Sequence, residues 1–186
     1  MKNRILEWSR KEIQRKGFRF TMSDLARQVG ISTKTLYELY SSKDELIDDL
    51  LNLAIDELQS KEKEVVANAS LNSIEKLQKL LVLLPVDFQY FHISRLEELQ
   101  RYYPKQWKTL DRFINQQWEG VHILIQEGIS KGLFRPFHIE LFIELYVGGL
   151  YRLMEQSARS ENQKTLSNAL QDMVDILLLG IVKEKG

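Results

Sequence analysis

No cysteine occurs in these 186 residues, which excludes disulfides, thiolate redox chemistry and cysteine-ligated zinc. Proline is almost as scarce, with only Pro85, Pro104 and Pro136 to interrupt the chain. Charge of one sign is not in excess either: 26 basic residues face 26 acidic ones, so the chain as a whole is neither a polycation nor an acidic tail. The longest strongly apolar runs, Leu80 to Leu84 and Ile176 to Leu179, are far too short to cross a bilayer, and the N-terminus has no apolar signal core. A soluble, cytoplasmic protein with no membrane partner is expected. There is no glycine-rich phosphate loop, no nucleophile elbow and no HExxH, and His92, His122 and His138 are spaced without metal-ligand logic. The expectation is a protein that is not an enzyme and has no cofactor and no metal.

What the chain does contain is helical periodicity. Strand-type alternation is absent, so the fold class is all-α. Leu46, Leu50, Leu53, Ala54 and Leu58 mark a helix starting near Lys43. Further helices are predicted over 71–84, 86–100, 104–130, 139–157 and 166–183, with Gly132 and Pro136 bracketing the loop before the last two.

The stretch Thr21 to Leu46 carries the most specific signal. Thr21-x-x-Asp24 is a capping-box-like helix start, and Met22, Leu25, Ala26 and Val29 make one apolar face. Gly30 supplies the positive φ that a sharp turn needs, and Ser32 is a good N-cap for a second short helix. In that helix Leu36, Leu39 and Tyr40 point inward, Lys34 and Glu38 outward, with Thr33, Thr35 and Tyr37 on the flanks. Ser42-x-x-Glu45 is a capping box for the next helix, placing Lys43 where it can meet a DNA backbone. Two short helices about a tight turn, the second with a free polar face, form a helix-turn-helix that enters the DNA major groove. Lysine and threonine can read base edges, and a tyrosine hydroxyl can reach a phosphate.

The segment from Ile5 to about Leu50 resembles the DNA-binding domain of TetR-family transcriptional regulators. The matching residues are Gly17-Phe18, Thr21, Asp24-Leu25-Ala26, Val29-Gly30-Ile31-Ser32, Thr35-Leu36-Tyr37, Tyr40 and Ser42-Lys43-Asp44-Glu45-Leu46. Tyr40 stands where phenylalanine is commoner, Leu39 fills a slot often held by an aromatic or histidine, and Trp8-Ser9 replaces a pair of small residues. The resemblance implies a homodimeric repressor, less often an activator, with an all-helical ligand-binding domain. It puts Thr21, Ser32, Thr33, Lys34, Thr35, Tyr37 and Lys43 on DNA-facing positions.

Charge distribution agrees with such a division. Residues 1–46 hold ten basic and six acidic side chains, a net of +4, and the remainder carries −4. A locally basic head suits a phosphate surface because the attraction is short-ranged at physiological salt. The chain is therefore divided into a helix-turn-helix domain, 1–46, and a larger helical ligand-binding and dimerisation domain, 47–186. The last two helices are apolar over most of their circumference and need cover on two sides, which predicts a homodimer seam. Thirteen of the 18 aromatics lie between Phe88 and Tyr151. An apolar cavity with a few convergent polar groups is the usual form of a ligand pocket, and His92, Arg95, Trp118, His122 and Tyr151 are the candidate polar handles. The function expected is a repressor released from a palindromic double-stranded DNA operator by a small-molecule effector, and nucleoid-associated when bound. The alternative is a DNA-bound architectural or cell-division factor with the same reader and no ligand.

Overall fold

The computed structural model describes residues 1–84, 94–116, 118–156 and 166–182, the side chains of 94–96 and 154–156 excepted. Ten helices lie among them: α1 (Lys2–Lys16), α2 (Met22–Val29), α3 (Thr33–Leu39), α4 (Lys43–Ala67), α5 (Ser73–Leu81), α6 (Ser94–Tyr102), α7 (Pro104–Gln116), α8 (Glu119–Ser130), α9 (Ile139–Gln156) and α10 (Leu166–Leu179). A single 3-10 turn, Gly17–Arg19, joins α1 to α2. No strand forms among the described residues, and one isolated bridge links Phe134 to Val182. None of these helices is long and apolar enough to cross a membrane.

Capping chemistry sets the boundaries at the N-terminal end. The hydroxyls of Thr21, Ser32 and Ser42 accept the backbone N–H of Asp24, Thr35 and Glu45 at 3.0, 3.0 and 3.2 Å, opening α2, α3 and α4. Gly30 ends α2 in the left-handed region, φ 76° and ψ 38°, as a turn this tight requires. The box expected at Ser42 is displaced by one residue: the Glu45 carboxylate accepts the N–H and O–H of Ser41, both at 2.7 Å. A reciprocal capping box does open α5, where Asn72 and Glu75 each accept the other's backbone N–H.

The structure differs from the periodicity at two places among the described residues. The helix expected over 104–130 is instead two, α7 ending at Gln116 and α8 beginning at Glu119. Trp118 lies outside both because it turns its indole N–H back onto the Ile114 carbonyl (2.7 Å) and packs its ring edge-on against Tyr146. Helix α5 is shorter than expected and stops at Leu81. Residues 86–93 of the helix predicted over 86–100 lie outside the described residues.

Two apolar clusters fill the interior. One joins Ile5, Phe20, Leu25, Val29, Leu36 and Tyr40 to Leu46 and Leu50 of α4, and runs on to Leu99, Tyr103 and Leu110. The other packs α5, α8, α9 and α10 around Leu77, Ile125, Phe134, Leu170 and Val174. Packing in the second is close: a Cβ built on Gly128 would lie 2.2 Å from the ring of the buried Phe134. Gly128→Ala should therefore cost about 1–3 kcal/mol of unfolding free energy by overpacking, read from urea melts; an unchanged midpoint would show that the ring has room to move.

Candidate nucleic-acid interface and internal cavity

Helix α3 sits on α2 through Leu36, which is fully buried, with Tyr40 equally buried at its end and Leu39 half-buried. This anchoring turns the opposite side of α3 to solvent. Ser32, Thr33, Lys34 and Tyr37 are exposed, and the Tyr37 ring is 49% accessible despite its size. Thr35 is half-buried, its hydroxyl 2.8 Å from that of Ser32. Thr21 lies exposed at the start of α2. Among the described residues Lys34 makes no ion pair, whereas Arg27 is held by Asp24 at 2.6 Å. A lysine, hydroxyls and a phenol on one solvated helix face form a surface suited to base edges and phosphates.

Lys43 behaves differently from the expectation that it meets a phosphate. Its ammonium points inward, donating to the Phe18 carbonyl at 2.6 Å and to the Phe20 carbonyl, and it lies 4.0 Å from the centre of the Phe20 ring. Two carbonyls left over from the bend between α1 and α2 draw the side chain down. Burial pushes its pKa down to about 8, with Asp44 and Glu98 acting in the opposite sense. The same bend is gripped from the body: the Glu98 carboxylate of α6 accepts the Phe18 N–H at 2.7 Å, and Tyr103 packs on the Phe18 ring at 5.6 Å. Arg4 donates to the Val29 carbonyl at 2.5 Å, tying α1 to the turn.

A cavity of about 150 Å³ lies in the body, walled by Leu51, Ile55, Leu58 and Glu62 of α4, Leu80 of α5, Phe113 of α7 and Tyr146 of α9, among others. Trp118 is on its wall. His122 and Tyr151 are not brought to it. His122 faces Glu140 at 3.5 Å in a shallow outer cleft between α8 and α9. The Tyr151 hydroxyl ties α9 to α7, donating to Asp111 at 2.5 Å and accepting from Asn115 at 2.8 Å. Burial, reinforced by Asp111, pushes its pKa up to about 12. His92 lies outside the described residues, as does the side chain of Arg95. Glu62 was missed by the sequence reading. Its signal was positional, a carboxylate continuing the stripe Leu51, Ile55, Leu58 at helical spacing.

Residues 5–50, the span that builds this reader, match the bacterial regulatory proteins of the tetR family. Over 185 residues the chain is 35% identical to YvaF of Bacillus subtilis, described as an uncharacterized HTH-type transcriptional regulator, covering 100% of this chain and 97% of that one. It is 28% identical over 193 residues to the HTH-type transcriptional repressor KstR2 of Mycobacterium tuberculosis, covering 97% of this chain and 92% of the relative. Among solved structures, FadR of Bacillus subtilis in complex with stearoyl-CoA superposes with a TM-score of 0.68 at 16% identity, over 95% of this chain and 97% of that one. The chain belongs to the TetR family and is a DNA-binding transcriptional regulator.

Lys43 offers a test of the bend. In the unfolded chain its amine titrates near 10.5, and in the folded chain near 8, so between these values the unfolded state binds more protons. Stability conferred by Lys43 should therefore rise with pH from about 8 to 10. The unfolding free energy of the wild type minus that of Lys43→Met, followed by denaturant melts, should grow over this window; a flat or falling difference would mean the amine is not desolvated.

Proposed function

We propose that this regulator is a homodimeric repressor that a small-molecule effector releases from a palindromic operator. Residues 1–46 read DNA, and 47–186 dimerise and sense. Thr33, Lys34, Thr35 and Tyr37 meet the major groove and its flanking phosphates, with Thr21 and Ser32 on the backbone. The observation that carries the reading is the solvated polar face of α3 held out by Leu36. Lys43 serves DNA binding through the Phe18–Phe20 bend, not as a phosphate ligand, because its ammonium is already engaged by two carbonyls.

Exposed apolar side chains support the dimer. Leu141 and Leu145 of α9 are 51% and 57% accessible, and Ile176 and Leu179 of α10 are 71% and 82%. Gly148 continues the α9 stripe with open space around its Cβ position, which allows another helix to come close. Large apolar side chains left exposed on two helices that pack together favour an interaction site there, and a two-fold pair of readers matches a two-fold DNA site. The cavity supports sensing, as does the stearoyl-CoA held by the like-folded FadR. Action on nucleoid DNA in the cytoplasm follows from this role, and no catalytic step is assigned. The cavity also favours this reading over an architectural or cell-division factor that senses nothing.

Lys34→Ala should weaken binding to the selected operator about tenfold and relax base choice, as measured by competition with point-changed duplexes. Lys43→Met should weaken operator and random DNA alike while leaving the salt dependence unchanged; a slope reduced by about one would return Lys43 to a phosphate. The paired change Leu145→Glu with Ile176→Glu should give a folded monomer by sedimentation that no longer binds a palindrome. A dimer surviving both charges would move the seam elsewhere. Release of the operator by compounds from a metabolite panel tests sensing; if no compound releases it, the non-sensing alternative stands.

A further inference from the structure

The cavity wall decides what kind of molecule can sit there. Two of its polar atoms are already spent. The Trp118 indole N–H donates to the Ile114 carbonyl and the Tyr146 hydroxyl to the Leu81 carbonyl, each at 2.7 Å. Among the described lining residues Glu62 alone carries a charge, and no described hydrogen bond or ion pair engages it. Its carboxylate rests against α8 at Gly120, where a built Cβ would lie 2.7 Å from Oε1. Glycine at 120 thus leaves the seat that the carboxylate occupies.

Resting on the reading of this cavity as the effector site, we propose that its ligand is a compact hydrophobic amine, with an apolar body of ring size inside and an ammonium head on Glu62. Three physical points lead there. A carboxylate is an acceptor and an anion, so it selects N–H donors and cations and repels carboxylates and phosphates. An apolar space of about 150 Å³ is large enough for a single ring. Glu62 also stands to gain from a cation, since burial holds its carboxyl above the ordinary carboxylate value while Lys63 pulls it only partly back. An anion-specific pocket would need the reverse, a cation or a set of free N–H groups on the wall.

The test uses the full chain and three probes of nearly one shape: 2-phenylethylamine, 2-phenylethanol and 3-phenylpropionate, titrated calorimetrically at neutral pH. The amine should bind about tenfold or more tightly than the carboxylate, with the alcohol between them. Glu62→Gln should remove about tenfold from the amine and leave the alcohol within about threefold. Gly120→Ala, which pushes the carboxylate from its seat without touching the apolar wall, should weaken the amine in the same direction. Preference for the carboxylate, or amine binding that ignores Glu62→Gln, overturns the head-group assignment. Absence of binding by all three at millimolar concentration overturns the ligand class. Neither result touches the sensing reading, which stands or falls on operator release by the metabolite panel.

Discussion

The bend at Phe18–Phe20 is the constraint on which the rest of the arrangement turns. Four elements converge on three residues: α1 ends there, α2 begins there, Lys43 of α4 takes the two free carbonyls, and Glu98 of α6 takes the Phe18 N–H. A buried backbone with unsatisfied carbonyls would be costly, on the order of 1–3 kcal/mol for each group, so the lysine does not have an equivalent alternative outside. With the bend fixed, α2 is fixed, and α3 follows because Leu36 is sealed against it. The polar face of the reader is thus oriented by contacts 23 to 80 residues away in sequence.

That convergence also explains why the reader and the body share one apolar cluster. Leu99, Tyr103 and Leu110, all from the body, are buried together with Ile5, Leu25 and Leu36. Gln106 adds a longer bond to the Asp44 carbonyl at 3.4 Å, and Arg10 pairs with Glu57 at 2.7 Å, so α1 and α7 both lean on α4. Helix α4 is 25 residues long, about 37 Å at 1.5 Å per residue. It contributes to both the head cluster and the cavity wall, as do α7 through Leu110 and α10 through Leu166.

Legibility in the sequence followed the range of the interactions involved. The limits of α2, the turn and α3 were readable because they are set by Thr21, Gly30 and Ser32 acting on backbone groups three or four residues away. Residues 5–50 were recognisable for the same reason. The direction of Lys43 was not, since its partners at Phe18 and Phe20 come together only after the bend closes. The placement of Trp118 outside a helix was hidden likewise, because no proline or glycine adjoins it and Tyr146, 28 positions further on, supplies the packing surface. The cavity was sought among the aromatics of the body, where Trp118 does lie. Most of its wall is leucine and isoleucine from α4, α5, α7, α9, α10 and the two residues Leu83 and Leu84, and such residues look identical in sequence whether they enclose space or fill it. His122 and Tyr151 satisfied the pattern of a polar handle on an apolar stripe, yet Glu140 and Asp111 hold them on other surfaces.

The shared helix gives the proposed sensing a physical route. Leu51, Ile55, Leu58 and Glu62 touch the cavity from one side of α4, and Leu46 and Leu50 hold the head at its other end. A ligand that seats its head group on Glu62 touches α4 and α8 at Gly120, so its binding depends on where these two helices stand. Displacement of α4 carries Lys43 with it, and Lys43 holds the two carbonyls that orient α2. Operator release then needs only that the ligand prefer a different position of α4 from the one DNA prefers. The coupling is reciprocal: DNA that selects one position of α4 must weaken the ligand by the same factor. A ligand indifferent to that position would fill the cavity and release nothing, however tightly it bound.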